Sequence, residues 1–243
     1  MTQLSVNLNK VALLRASRGR DIPNLIEAAE IAIQAGCHGL TVHPRIGSPH
    51  VTLQDVRDLA ALPAVQTGTV ELNVEGDGRD ELLAVAAEVE PAQFTLVPAD
   101  PGERTTTRGW DRSDDPAVLA RVRATLSPKT RLSLFIDPFA DSVEIAREGG
   151  AQAIEIHTYA YAEHFGTAKA IELLEEMVPI AELARSYGLR VHAGHDLNLA
   201  NLGPVIAQLH PDEVSIGHAL LAEALFLGLP AMVQRYRDAA LGG

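Results

Sequence analysis

Residues 131–157 read RLSLFIDPFADSVEIAREGGAQAIEIH. Arg131–Ile136 has the length and apolar content of a buried strand. Asp141–Glu148 carries apolar residues at helical spacing and stops at Gly149 and Gly150, the usual punctuation of a helix C-terminus. Ala153–His157 is a second strand. A strand, a helix and a strand in immediate succession imply parallel strands joined by a right-handed crossover.

Working outward from this unit, the alternation continues in both directions. Upstream strands are read at Leu4–Asn7, Gly39–His43, Val70–Glu75 and Gln93–Val97, and downstream ones at Arg190–Ala193 and Glu213–Ile216. The intervening helices are read at Pro23–Ala35, Thr52–Leu62, Asp80–Glu90, Pro116–Leu126, Ala168–Tyr187, Ala200–Leu209 and Ala219–Ala239. Eight such units predict an α/β fold closed into a (β/α)8 TIM barrel, and 243 residues suit one complete barrel, 1–243, as a single domain. A doubly wound open sheet is the competing architecture, but no Gly-rich turn follows the first strand.

Charge and composition narrow the partners. There are 20 Lys+Arg against 32 Asp+Glu, a net charge of -12, which argues against nucleic acid or an anionic membrane surface. No run of about 18 apolar residues is present, and the start lacks a signal-peptide layout, so a cytoplasmic location is expected. The single cysteine, Cys37, excludes an internal disulfide and a Cys-based zinc site, and it reads as a small buried hydrophobe.

In such barrels chemistry sits where strands end. Here the ends carry Asn7 and Asn9; His43, Arg45 and His50; Asn73 and Glu75; Asp137; Glu155 and His157; His195 and Asp196; and Gly217 with His218. Side chains two apart share a face, so Thr41, His43 and Arg45, or Glu71, Asn73 and Glu75, are expected to line the barrel axis. His192, of opposite parity to His195, is expected to be structural, and Tyr159 and Tyr161 to pack around their loop. GHDLN (194–198) and SIGHAL (215–220) occupy the recurrent phosphate corner of the fold, where backbone N–H groups at a helix start suit an anion. Asp196 is repulsive to a phosphate there and is read as a cap for the next helix. Arg45 with His50, and Arg15 with Arg18 in RASRG, are further cationic groups, which suggests two phosphorylated ligands. The polar stretch 99–115, ADPGERTTTRGWDRSDD, with the only Trp, is expected to be a lid.

Taken together, the residues resemble the pyridoxine 5'-phosphate synthase family. The resemblance runs nearly end to end, through SVNLNKVALLRASRG, AGCHGLTVHPR with His50, LNVEG, FTLVP, LSLFID, IEIHT, AGHDLN and SIGHAL in order. It implies a (β/α)8 barrel with additional helices, assembled as a homo-octamer. It also implies condensation of 1-deoxy-D-xylulose 5-phosphate with 3-amino-2-oxopropyl phosphate, with no metal or organic cofactor. By the same resemblance His43, Glu75 and His195 match the acid–base residues. Asn7, Arg18, Asp196, Gly217 and His218 match contacts to the amino-ketone phosphate. Arg45, His50 and Thr105 match contacts to the deoxyxylulose phosphate. Asn9 and Lys10 stand where many members have Asp-His, and Lys10 can still serve a phosphate. The lid departs too, with Thr105-Thr106-Thr107-Arg108-Gly109 in place of TTEGG. A non-catalytic phospholigand-binding relative and a metal-dependent barrel hydrolase are the alternatives; no HxH or HExxH pair supports the latter.

Overall fold

The computed structural model describes residues 1–45, 50–98 and 106–242. Strands β1 (Gln3–Asn7), β2 (Gly39–Val42), β3 (Glu71–Gly76), β4 (Gln93–Leu96), β5 (Arg131–Ile136), β6 (Ala153–His157), β7 (Arg190–Gly194) and β8 (Glu213–Ile216) form a closed parallel barrel in sequence order. Closure is made by β1 against β8, with Ser5 opposite Ser215. The helices are α1 (Asn9–Ala16), α2 (Leu25–Gln34), α3 (Leu53–Ala60), α4 (Pro63–Gln66), α5 (Asp80–Val89) and α6 (Pro116–Thr125). They continue with α7 (Ala140–Glu148), α8 (Tyr159–Glu163), α9 (Ala168–Ser186), α10 (Leu202–Leu209), α11 (His218–Leu227) and α12 (Leu229–Ala240). No described helix is long and apolar enough to cross a membrane.

The apolar core lies between the barrel wall and the helix ring. Leu4, Leu40, Leu72, Phe94, Leu132, Ile154, Val191 and Val214 are fully buried on the outward face of their strands. Burying each such side chain stabilises the fold by roughly 1.5–3 kcal/mol. The inward face is different. The inside of such barrels is usually filled by Val, Ile and Leu, but here Ser5 bonds Thr41 at 2.7 Å, Asn73 donates to Thr41, and Thr95 donates to Asn73 at 3.0 Å. Arg131 forks onto Glu71 and also reaches Gln93. The lumen is therefore a hydrogen-bonded polar network, in keeping with the inward rows read from strand parity.

Three helical expectations change. Helix α1 follows β1 directly and carries Arg15 on its last turn, although the sequence reading places no helix before Pro23. Pro23 precedes α2 rather than opening it; Asn24 is the cap, accepting from the Glu27 N–H. The expected 219–239 helix breaks at Gly228, whose φ of +85 ends α11 before α12 opens at Leu229 with Pro230 in its first turn.

His192 is fully buried inside the lumen, its Nδ1 3.3 Å from Gln93 and 4.0 Å from Glu213. It is thus deeper in the barrel than His195, not on the outer face. Its buried place among lumen side chains is in keeping with a structural role, but strand parity does not relate it to His195, because β7 ends at Gly194 and His195 and Asp196 leave the strand at φ 86 and 58.

Candidate active site

One side of the mouth is built by the first three strand ends. Asn7 Oδ1 accepts from the Asn9 N–H at 3.1 Å, and Asn9 Oδ1 accepts from the His43 N–H at 2.7 Å. These two asparagines fix the first turn against the second. His43, almost wholly buried, places Nδ1 3.4 Å from Glu75 Oε2. Burial pushes the His43 imidazole below its ordinary value, and Arg45 adds to this, while Glu75 and Asp77 oppose it. His43 is therefore neutral near pH 7, the state a base needs. Arg45 donates to Thr106 Oγ1 at 2.8 Å, tying this side to the base of the long β4–α6 loop.

The opposite side is built by β6, β7 and β8. Glu155 is buried, and desolvation together with Glu75 and Glu213 pushes its carboxyl well above the ordinary range. It fits because residue 194 is glycine: a Cβ there would stand 2.2 Å from Glu155 Oε1. Immediately beyond, His195 and Asp196 adopt left-handed backbone, a conformation costing about 1–3 kcal/mol per non-glycine residue and concentrated at functional sites. This turn swings His195 over the mouth, with Nδ1 3.4 Å from Asp196 Oδ2. His195 above all, then His218 and Lys10, hold the Asp196 carboxyl below its usual range against the opposing effect of burial. Lys10 on α1, Asp196 after β7 and His218 on α11 are thereby brought together. Gly217 precedes α11, and a Cβ on it would meet the Asn7 side chain at 3.0 Å, so the first and eighth turns touch.

Asp196 does not cap the following helix. The carboxylate faces His195, and Asn201 binds the Asp196 carbonyl instead. Nor does Arg15 point to a ligand: it forks onto Asp55 at 2.7 Å and donates to the His50 carbonyl at 2.9 Å, fastening α1 to α3 and to the loop before it. That tether fixes the backbone of His50, whose own side chain is buried. Arg18 is exposed beyond α1. Thr105, and the lid up to it from Ala99, lie outside the described residues. Among the described residues, no three of His, Cys, Asp and Glu converge as a metal site.

Two members of the site have contacts that the sequence alone does not show. Tyr161 packs as expected, its hydroxyl donating to the Asn201 carbonyl, but Tyr159 stacks on His157 and meets His195 edge-on, 5.8 Å between ring centroids. Glu155 shares the inward face with His157, yet only the fold reveals that it is a buried carboxyl facing Glu75 and Glu213.

The mouth thus holds imidazoles, the carboxyls of Glu75, Glu155 and Asp196, and a cationic, glycine-bearing corner, a set suited to moving protons on an anionic substrate. The family model for "Pyridoxal phosphate biosynthesis protein PdxJ" matches residues 4–241. The chain belongs to this family. Among the relatives of this chain, the pyridoxine 5'-phosphate synthase of Christiangramia forsetii is 40% identical over 97% of this chain and 98% of its own length. That of Xanthomonas axonopodis pv. citri is 41% identical over 100% and 98%. Phosphoribosyl anthranilate isomerase from Thermotoga maritima, a solved structure, superposes over 100% of both chains with a TM-score of 0.63 at 14% identity. That likeness concerns the barrel alone.

Proposed function

We propose that the chain is a pyridoxine 5'-phosphate synthase, condensing 1-deoxy-D-xylulose 5-phosphate with 3-amino-2-oxopropyl phosphate and releasing phosphate and water. The observation that carries the reading is the pairing of neutral His43 with Glu75 across the mouth from His195. The chemistry is a relay of proton transfers. The amine adds to the ketone, the carbinolamine loses water to an imine, and later proton shifts expel phosphate and close the ring. Glu75 serves imine formation and dehydration. His43 takes a proton near the deoxyxylulose phosphate, and His195 donates one on the other side. Glu155, held protonated by its burial, supplies an acid beside Glu75 so that the two carboxyls hold different protonation states.

Asn7, Lys10, Gly217 and His218 suit one phosphate, with Asn9 bracing the turn, and Arg45 and His50 the other. Asp196 serves this corner by holding His195 rather than by meeting a phosphate. Arg18 and Thr105 are assigned by family likeness. Fixing both substrates by their phosphates provides orientation, a large share of any two-substrate rate gain. Residues 1–243 act as one catalytic domain of a cytoplasmic homo-octamer, needing no metal or organic cofactor; the exposed apolar ridge of Leu225, Phe226 and Leu227 supports self-association.

The test is turnover with both substrates in EDTA, following pyridoxine 5'-phosphate by mass and phosphate in parallel. Stoichiometric release of both is expected. Glu75→Gln is expected to bind each phosphorylated substrate within a few-fold of the parent and to turn over at least about 100-fold more slowly. Binding without product in the parent chain would favour the non-catalytic alternative.

A further inference from the structure

Asp137 and His157, on neighbouring strand ends, have no part in the scheme above. Asp137 follows β5, and its Oδ1 accepts from His157 Nδ1 at 2.9 Å. Because a carboxylate only accepts, His157 carries its proton on Nδ1. Its Nε2 is buried and has no hydrogen-bond partner among the described residues, a costly state for a polar atom unless it is used. The His157 ring lies edge-on to His195 with centroids 4.8 Å apart, and Phe135 and Tyr159 flank the pair.

The second oxygen of Asp137 goes elsewhere: Oδ2 accepts from the Gly109 N–H at 2.9 Å. Gly109 belongs to the base of the β4–α6 loop, and its fit is tight. A Cβ on it would come within 2.0 Å of the Asp137 nitrogen, so only glycine permits this approach. Trp110 next to it donates its backbone N–H to the Phe135 carbonyl at 2.8 Å, and its side chain is buried. Arg108 locks the turn by forking onto Asp114 at 2.7 and 2.8 Å. One carboxylate thus ties the base of the loop to the histidine that abuts His195.

We infer that Asp137 and His157 are positioning residues: they fix the ring and the protonation of His195 and couple it to the base of the β4–α6 loop. The inference rests on reading His195 as the proton donor. The titratable and charged groups around the two rings are Asp137 after β5 and Tyr159 on α8 beside His157, Tyr159 and Asp196 beside His195, and Asp111 at the loop base acting on Asp137. With Nδ1–H held by Asp137, His157 keeps a lone pair on its buried Nε2, in a ring that stands edge-on to His195. An asparagine at 137 offers an N–H in its place. His157 then carries its proton on Nε2, and the imidazolium of His195 is disfavoured.

The test needs no turnover. Carbethoxylation of His195 by diethyl pyrocarbonate, read by peptide mass spectrometry across pH, reports its titration, since only neutral imidazole reacts. In Asp137→Asn the half-maximal point is expected to fall by about half a pH unit or more. His157→Phe, which keeps a ring but has no lone pair, is expected to move it likewise, and adding Asp137→Asn to that variant should change little further. In parallel, kcat for Asp137→Asn should fall about 10–100-fold with KM within about 3-fold. An unmoved His195 profile in a variant with the parent Tm overturns the inference. So does an equal shift in the His157→Phe background, which would mean that the carboxylate acts directly. Should Asp137→Asn not fold, His157→Phe alone decides by the same reading. A shifted profile in a chain that makes no product would sink the synthase reading and leave the positioning pair standing.

Discussion

A single hydrogen atom at position 194 decides whether Glu155 can occupy the mouth. The carboxyl oxygen lies where a methyl group would sit, and the Ser215 carbonyl closes the space behind it at 3.6 Å. Gly194→Ala is therefore expected to displace Glu155, to slow turnover by about 10-fold or more and to destabilise the fold by about 1–3 kcal/mol. Steady-state kinetics beside a urea melt separates the two effects, and an unchanged rate removes Glu155 from the reaction. At this scale the sequence is partly legible. His43, Glu75 and His195 are visible because strand ends are where such barrels do chemistry. Tyr159 and Asp137 are not visible as partners of His157, because ring contacts and hydrogen bonds between separate strand ends follow from closure, which no local pattern encodes.

Among elements, α1 shows where local reading stops short. The segment from Asn9 to Ala16 has no side-chain cap, and its apolar face is weak, so little in the sequence distinguishes it from a loop. Its position comes from a long-range tie. Asp55 closes a capping box with Thr52 at the start of α3 and receives both arms of Arg15. The Asp55 carboxyl lies below its ordinary value because the bonds from Arg15 and Thr52 outweigh the opposing effect of burial. Arg15→Met is expected to cost about 1–3 kcal/mol by urea denaturation, less than a fully buried pair, since Asp55 keeps its Thr52 bonds. It should also raise KM for deoxyxylulose phosphate more than it lowers kcat, because the His50 carbonyl loses its anchor. The strands, by contrast, are legible almost to the residue, since their outward faces must be apolar to meet the helices.

For the whole molecule, the buried ionisable groups of the lumen set how stability varies with pH. Glu213, pushed up to about 7 by burial and by Glu71, holds a proton in the folded chain that an unfolded glutamate with a value of 4.5 has released. A raised carboxyl contributes stability that is present below the unfolded value and is lost as pH rises through 7. Glu155 acts in the same direction. His43 and His192, both lowered chiefly by burial, act oppositely: stability is lost as pH falls below 6.5, where the unfolded imidazoles take up protons. Glu213→Gln is thus expected to melt about 3 °C or more above the parent at pH 8, with the gap closing at pH 5. Calorimetry at the two pH values checks this, and a gap that widens toward pH 5 would show that Glu213 is ionised in the fold. The division behind it, an aliphatic outer wall around a polar lumen, also bears on how such a chain diverges. Outer positions can drift among Leu, Ile and Val under selection for volume alone, while lumen positions are rewritten separately under selection for chemistry. Lineages of this barrel can therefore exchange one reaction for another without first renegotiating the packing that keeps them folded.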